Sequence, residues 1–260
     1  MVQINFGKKT IKCRLVYYGP AGAGKTASLK LVERKAPARG EGQLTQVNSE
    51  TERTLFFEYM PMKLGKFDGL ETTMHVYTVP PRESAVSTRL TIMRGLDAVI
   101  FVADSRRHRM GANLSSLEQL FDDLRELGLN PTAVPIVMQW GHQDDPEAMS
   151  PHELDAALNP GGCASFAASA VSGVGVLAAL KKASLVTLET VGDRFGLSKT
   201  QKIRRPTPKP EEPQARTRSE SSRLRAVRAQ VDRVTRRSTR NLEVLGVAPA
   251  TKKRTRLFNR

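Results

Sequence analysis

Residues 19–26, GPAGAGKT, stand between an apolar run, IKCRLVYY (11–18), and a stretch of helix formers, KTASLKLVERK (25–35). They fit G-x-x-x-x-G-K-[ST] in full, and a strand-to-helix setting is the one in which that motif wraps a phosphate. Glycines let successive backbone N–H groups curl round an anion, and the helix N-terminus adds its positive dipole end. The spacing assigns Gly19, Ala21, Gly22, Ala23, Gly24, Lys25, Thr26 and Ala27 to a phosphate-bearing ligand. Lys25 is expected to reach the β- and γ-phosphates, and the Thr26 hydroxyl to bind Mg²⁺.

The rest of residues 1–197 alternates between the same two kinds of segment. ETTMHVYTV (71–79), DAVIFVA (97–103), AVPIVMQW (133–140) and ASFAASA (164–170) read as strands. The continuous apolar runs among them suit strands buried on both faces. NLSSLEQLFDDLRELG (113–128) places Leu114, Leu117, Leu120, Phe121, Leu124 and Leu127 on one helical face. SPHELDAAL (150–158) opens with a capping box, Ser150 to Glu153, and Pro151 at the first helical position. GVGVLAALKKASLVTLETVG (173–192) is a final amphipathic helix. Strands alternating with helices mean an α/β domain with a mostly parallel sheet, whose ligands sit at the C-terminal ends of the strands.

The charge is divided unevenly. Residues 1–197 hold 22 Lys+Arg and 21 Asp+Glu, whereas residues 198–260 hold 19 and 5. A near-neutral domain is followed by a basic, Pro-containing tail, for which partial disorder and a helix over about 219–245 are expected. Leu224, Val227, Val231 and Val234 would form an apolar stripe on that helix. Such an arm suits nucleic acid, an anionic membrane surface or an acidic protein. No apolar run reaches the ~20 residues of a membrane helix, and no signal peptide is evident. The chain therefore reads as cytoplasmic, with the tail able to recruit it to a polar site, the nucleoid or a membrane surface. Cys13 falls in a strand, where a buried free thiol is expected, and the four histidines form no ligand spacing.

VYYGP before the loop, TERTLFF (51–57), HVYTVP (75–80), GLDAVIFVADS (95–105) and SGVGV (172–176) resemble the bacterial MglA family of Ras-like small GTPases, the polarity switches of gliding motility. The resemblance spans roughly residues 1–190. It implies a Ras-like fold, a mainly parallel six-stranded sheet with helices on both faces, binding GTP or GDP with Mg²⁺. Thr54 would be the switch threonine that reaches Mg²⁺ and the γ-phosphate, and Arg53 an intrinsic arginine finger. It also implies a dimeric roadblock-fold activator as partner.

Two stretches depart from the family pattern. Where the family carries Thr-x-Pro-Gly-Gln, this chain has Thr78, then Pro80-Pro81-Arg82. Proline has no N–H to offer a γ-phosphate. Arg82 only donates, whereas a glutamine amide can also accept a proton from the attacking water. Slow or absent hydrolysis is expected, with Arg82 as a second finger the alternative. The base-reading Asn/Thr-Lys-x-Asp becomes Gly141-His142-Gln143-Asp144. Asp144 keeps the acceptor pair for the guanine edge, and His142 or Trp140 could stack on the base. The backbone N–H of Ala170 is the next base contact that the resemblance implies. The leading expectation is a guanine-nucleotide-binding regulator, and the alternative a scaffold locked in one nucleotide state.

Overall fold

The computed structural model describes residues 2–35, 43–48, 56–80 and 86–197. The tail expected over 198–260 lies outside them. Among the described residues eight strands form one sheet: β1 (Gln3–Asn5), β2 (Thr10–Tyr18), β3 (Thr45–Asn48), β4 (Phe56–Phe67), β5 (Leu70–Thr78), β6 (Ala98–Asp104), β7 (Ile136–Gly141) and β8 (Ser165–Ala167). The order is β3-β4-β5-β2-β6-β7-β8, with β1 added to β2. Pairings from β5 through β8 are parallel, whereas β1–β2, β3–β4 and β4–β5 are antiparallel. The sheet is thus larger and more mixed than the six strands expected.

Strand β4 takes part in two of the three antiparallel pairings, although Pro61 and Gly65 inside it are residues that strands disfavour. Pro61 pairs with His75 of β5 on one side, and β3 reaches only as far as Tyr59 on the other. Its missing N–H therefore falls beyond the end of the edge strand, where proline is tolerated. Gly65 sits at a register shift after Lys63, with φ of 87°.

Alternation along β2 feeds two cores. Ile11, Cys13, Leu15 and Tyr17 face a layer containing Leu29 and Val32 of α1 (Lys25–Lys35) and Val176, Ala179 and Leu180 of α5 (Val176–Phe195). Val16 and Tyr18 face the opposite layer, with Met93 of α2 (Val86–Met93), Leu120 and Leu124 of α3 (Met110–Glu126) and Leu154 of α4 (Pro151–Leu158). Every residue of β6 is buried, the pattern of a central parallel strand. Cys13 is a buried free thiol, and burial foremost pushes it up to about 12.

Helix α4 has its capping box: the Ser150 hydroxyl accepts from Glu153 N–H while the Glu153 carboxylate accepts from Ser150 N–H. A buried ion pair ties α2 to α3. The Arg89 guanidinium donates twice to the Asp123 carboxylate, which also accepts from the Tyr18 hydroxyl at 2.7 Å. Among the described residues no helix is long and apolar enough to cross a membrane.

Candidate functional site

The parallel strands end at one edge of the sheet, and the loops that follow β2, β6, β7 and β8 gather there. The loop after β2 can approach β6 closely only because its first residue is glycine. Gly19 has φ of 145°, and a Cβ there would lie 2.1 Å from the carbonyl oxygen of Val102. Gly22 and Gly24 also have positive φ, at 78° and 98°. Lys25 opens α1, and Thr26 and Ala27 follow exposed in its first turn.

Four successive carbonyls of this loop point at cationic or N–H-bearing side chains. The Lys25 ammonium donates to Gly19 O at 2.6 Å and to Pro20 O at 2.8 Å. Arg109, on the 3₁₀ turn that leads from β6 into α3, donates through Nη2 to Ala21 O at 2.6 Å. His142 Nε2 lies 2.8 Å from Gly22 O, so this nitrogen carries the proton and donates. A trans peptide turns its C=O and N–H in opposite directions. Fixing Ala21 O in this way turns the Gly22 N–H that follows it to the opposite side, while Ala23 N–H closes the loop by donating to Pro20 O at 3.4 Å.

Lys25 is buried, and burial brings its ammonium down to about 8, relieved in part by the charge of Glu58. Glu58 is itself buried on β4, and its backbone N–H donates to the Thr78 hydroxyl at 2.9 Å. Sequence reading missed this carboxylate. Its signal is a lone acidic residue inside the apolar run LFFEYM, where an unpaired charge is costly.

The loop after β7 carries Gly141, His142 and Asp144. A Cβ on Gly141 would stand 2.7 Å from Ala23 O and 3.2 Å from Ala103 O, so this position holds the phosphate loop against the end of β7. His142 has φ of 58°, a left-handed conformation that histidine adopts more readily than most residues. The two stacking candidates fare differently from expectation. Trp140 is fully buried in the core under α3 and α4, so it faces no base. The His142 ring is engaged with the phosphate loop through Gly22 O.

Asp144 is exposed, and a hydrogen bond from the Ser169 hydroxyl, then one from its own backbone, holds its carboxyl below the usual range. The adjacent Asp145 accepts from Glu147 N–H in a local turn, which separates the roles of the two carboxylates. Ala170 follows Ser169 in the loop after β8. Together with Ala27, Lys30, Leu44 and Val171 it lines an open depression beside α1. Gln143 N–H donates to Ala168 O, joining the loops after β7 and β8.

The structure thus brings together the residues read from the phosphate loop with Asp144 and Ala170. Arg53, Thr54, Pro81 and Arg82 lie outside the described residues. Mg²⁺ is a hard cation that usually takes one or two protein oxygens and completes its shell with phosphates and water. The exposed Thr26 hydroxyl is an oxygen of that kind. Among the described residues no cluster of three His, Cys, Asp or Glu gathers to form an all-protein cage.

The chain is 40% identical over 185 residues to the mutual gliding-motility protein MglA of Myxococcus xanthus (strain DK1622). The aligned part covers 71% of this chain and 95% of that protein. No family model matches the chain.

Proposed function

Because the chain belongs to the MglA family of Ras-like small GTPases, we propose that it is a guanine-nucleotide switch whose hydrolytic step is weak or lost. The observation that carries the nucleotide reading is the phosphate loop. Its carbonyls 19–22 accept hydrogen bonds from Lys25, Arg109 and His142, with an exposed aspartate one loop away.

Lys25 would lie along the β- and γ-phosphates, and backbone N–H groups of the loop would bind their oxygens. Thr26 and Thr54 would hold Mg²⁺, which neutralises charge on the phosphate oxygens when bound. The Asp144 carboxylate would accept the two N–H groups of the guanine edge, which adenine cannot offer. Ala170 N–H would donate to the guanine carbonyl.

Hydrolysis needs a water in line with the γ-phosphorus while the bond to the bridging oxygen breaks. Arg53 would lend charge to the transferring group. Pro81 has no N–H to offer the γ-phosphate, and Arg82 has no acceptor with which to position that water. Arg82 would at most add a second positive charge. A partner dimer of roadblock fold is the expected activator, and a rebuilt segment at Pro80-Pro81-Arg82 alters what it would meet. In the second reading the chain is a scaffold locked in one nucleotide state. It is favoured by the same two residues and by the basic tail, which would place the chain in the cytoplasm at a polyanion.

Single-turnover hydrolysis of bound GTP tests the catalytic half. The unaltered chain and Arg82→Gln should both be slow, and Pro81→Gly with Arg82→Gln should be faster. Rapid turnover by the unaltered chain would refute the reading of Pro81 and Arg82. Asp144→Asn tests the other half: it should reduce the preference for GDP over ADP, and equal affinities in the unaltered chain would refute the role of Asp144.

A further inference from the structure

We infer that Arg109 is a positioning residue of the phosphate loop, holding the Ala21–Gly22 peptide in the orientation that presents Gly22 N–H to a phosphate. Three observations converge. The Arg109 Nη2 donates to Ala21 O at 2.6 Å. Its Nε stands 3.4 Å from Asp104 Oδ2. Asp104 is fully buried at the end of β6, and Arg106 forks onto the same carboxylate at 3.0 and 2.6 Å.

The chain of fixation runs from the sheet outward. Asp104 is set by β6, and Asn113 of α3 clamps it by accepting from Asp104 N–H and donating to Asp104 O. Burial would raise the Asp104 carboxyl, but hydrogen bonds from Arg106 and the charges of His142 and Arg106 hold it below the ordinary carboxylate range. The buried Asp104 carboxylate attracts the planar, rigid Arg109 guanidinium to the end of β6 as an ion pair, which keeps its Nη2 within reach of the loop. There Nη2 donates to the exposed Ala21 O.

Glycine makes this hold necessary. Gly22 has no neighbour within 4 Å of its missing side chain and a φ of 78°, so packing does not fix the peptide before it. A flexible peptide can turn its carbonyl toward the ligand, where it would repel a phosphate. A charge-assisted hydrogen bond on that carbonyl removes the alternative. Nothing local marks Arg109 in the sequence: SRRHR reads as a solvated turn. Its neighbour Arg107 behaves that way, pairing on the surface with Glu153.

This inference rests on the reading that the loop holds a guanine nucleotide, and release of fluorescent GDP and GMP from the full chain separates the two. Arg109→Ala should release GDP about tenfold faster, the scale of one charge-assisted hydrogen bond. GMP, which has no β-phosphate for the loop to grip, should leave at nearly the unaltered rate. Arg109→Lys, which can still donate to Ala21 O, should recover most of the loss, and Arg107→Ala should change nothing. If Arg109→Ala does not fold, Arg109→Met, which keeps the apolar stem, takes its place. Release of GDP at the unaltered rate, or equal acceleration of GDP and GMP, would overturn the role of Arg109 while leaving nucleotide binding intact. An unaltered chain that binds neither nucleotide would overturn both.

Discussion

Replacing Gly141 should damage the nucleotide site, although the family pattern places a larger residue there. A Cβ built on Gly141 meets Ala23 O at 2.7 Å and Ala103 O at 3.2 Å, and both atoms belong to backbone. An ordinary carbon–oxygen contact needs more than half an ångström of additional room on the loop side. The end of β7 or the phosphate loop must therefore move. Movement of the loop would strain the Gly22 O bond to His142, the next residue along. Overpacking of this kind costs about 1–3 kcal/mol. For a domain of this size, 1 kcal/mol lowers the melting temperature by roughly 2–4 °C. Gly141→Ala should thus melt several degrees lower and release GDP faster, and Gly141→Asn should be worse. Differential scanning fluorimetry with a fluorescent-GDP chase measures both. A Gly141→Ala chain that melts at or above the unaltered temperature and holds GDP as tightly would refute the packing argument.

Asp123→Ala should break the buried ion pair to Arg89 at a cost of about 3–5 kcal/mol, read as a large drop in melting temperature; Arg89→Leu with Asp123→Leu should recover most of it, and equal losses in single and double variants would contradict this. Nucleotide affinity should depend on pH through Lys25, whose ammonium burial brings down to about 8. Phosphates keep that ammonium charged, so above pH 8 the complex retains a proton that the free protein has lost; affinity should be flat below pH 8 and fall by up to about tenfold per unit above it, and a flat profile to pH 9.5 would contradict the assignment. Removal of residues 198–260 should abolish salt-sensitive binding to DNA or anionic vesicles by the full chain, with a log–log salt slope near −5 for about six phosphate contacts on DNA; unchanged binding after truncation would leave the tail without that role.

The local features of this site were legible because their signals are local. GPAGAGKT between a strand and a helix, the Ser150–Glu153 box and the buried run of β6 each depend on neighbours within a few residues. The long-range parts were hidden. Arg109 and Ala21 are 88 positions apart, and His142 and Gly22 are 120 apart. Trp140 looked available for stacking because it precedes the base-reading loop, but strand alternation turns it into the core beneath α3 and α4. Strand β4 was obscured by Pro61 and Gly65, whose cost depends on where β3 ends and where the register shifts. Propensity cannot report either.

The most direct test is the fate of GTP on the full chain. The protein is loaded with GTP and Mg²⁺, freed of excess nucleotide, incubated, denatured by heat, and the released nucleotide identified by chromatography. Intrinsic hydrolysis by Ras at roughly 4 × 10⁻⁴ s⁻¹ consumes half its GTP in about half an hour. The account predicts about one guanine nucleotide per chain, with GTP outlasting that interval. Release of no guanine nucleotide, or complete conversion to GDP within minutes, would contradict it.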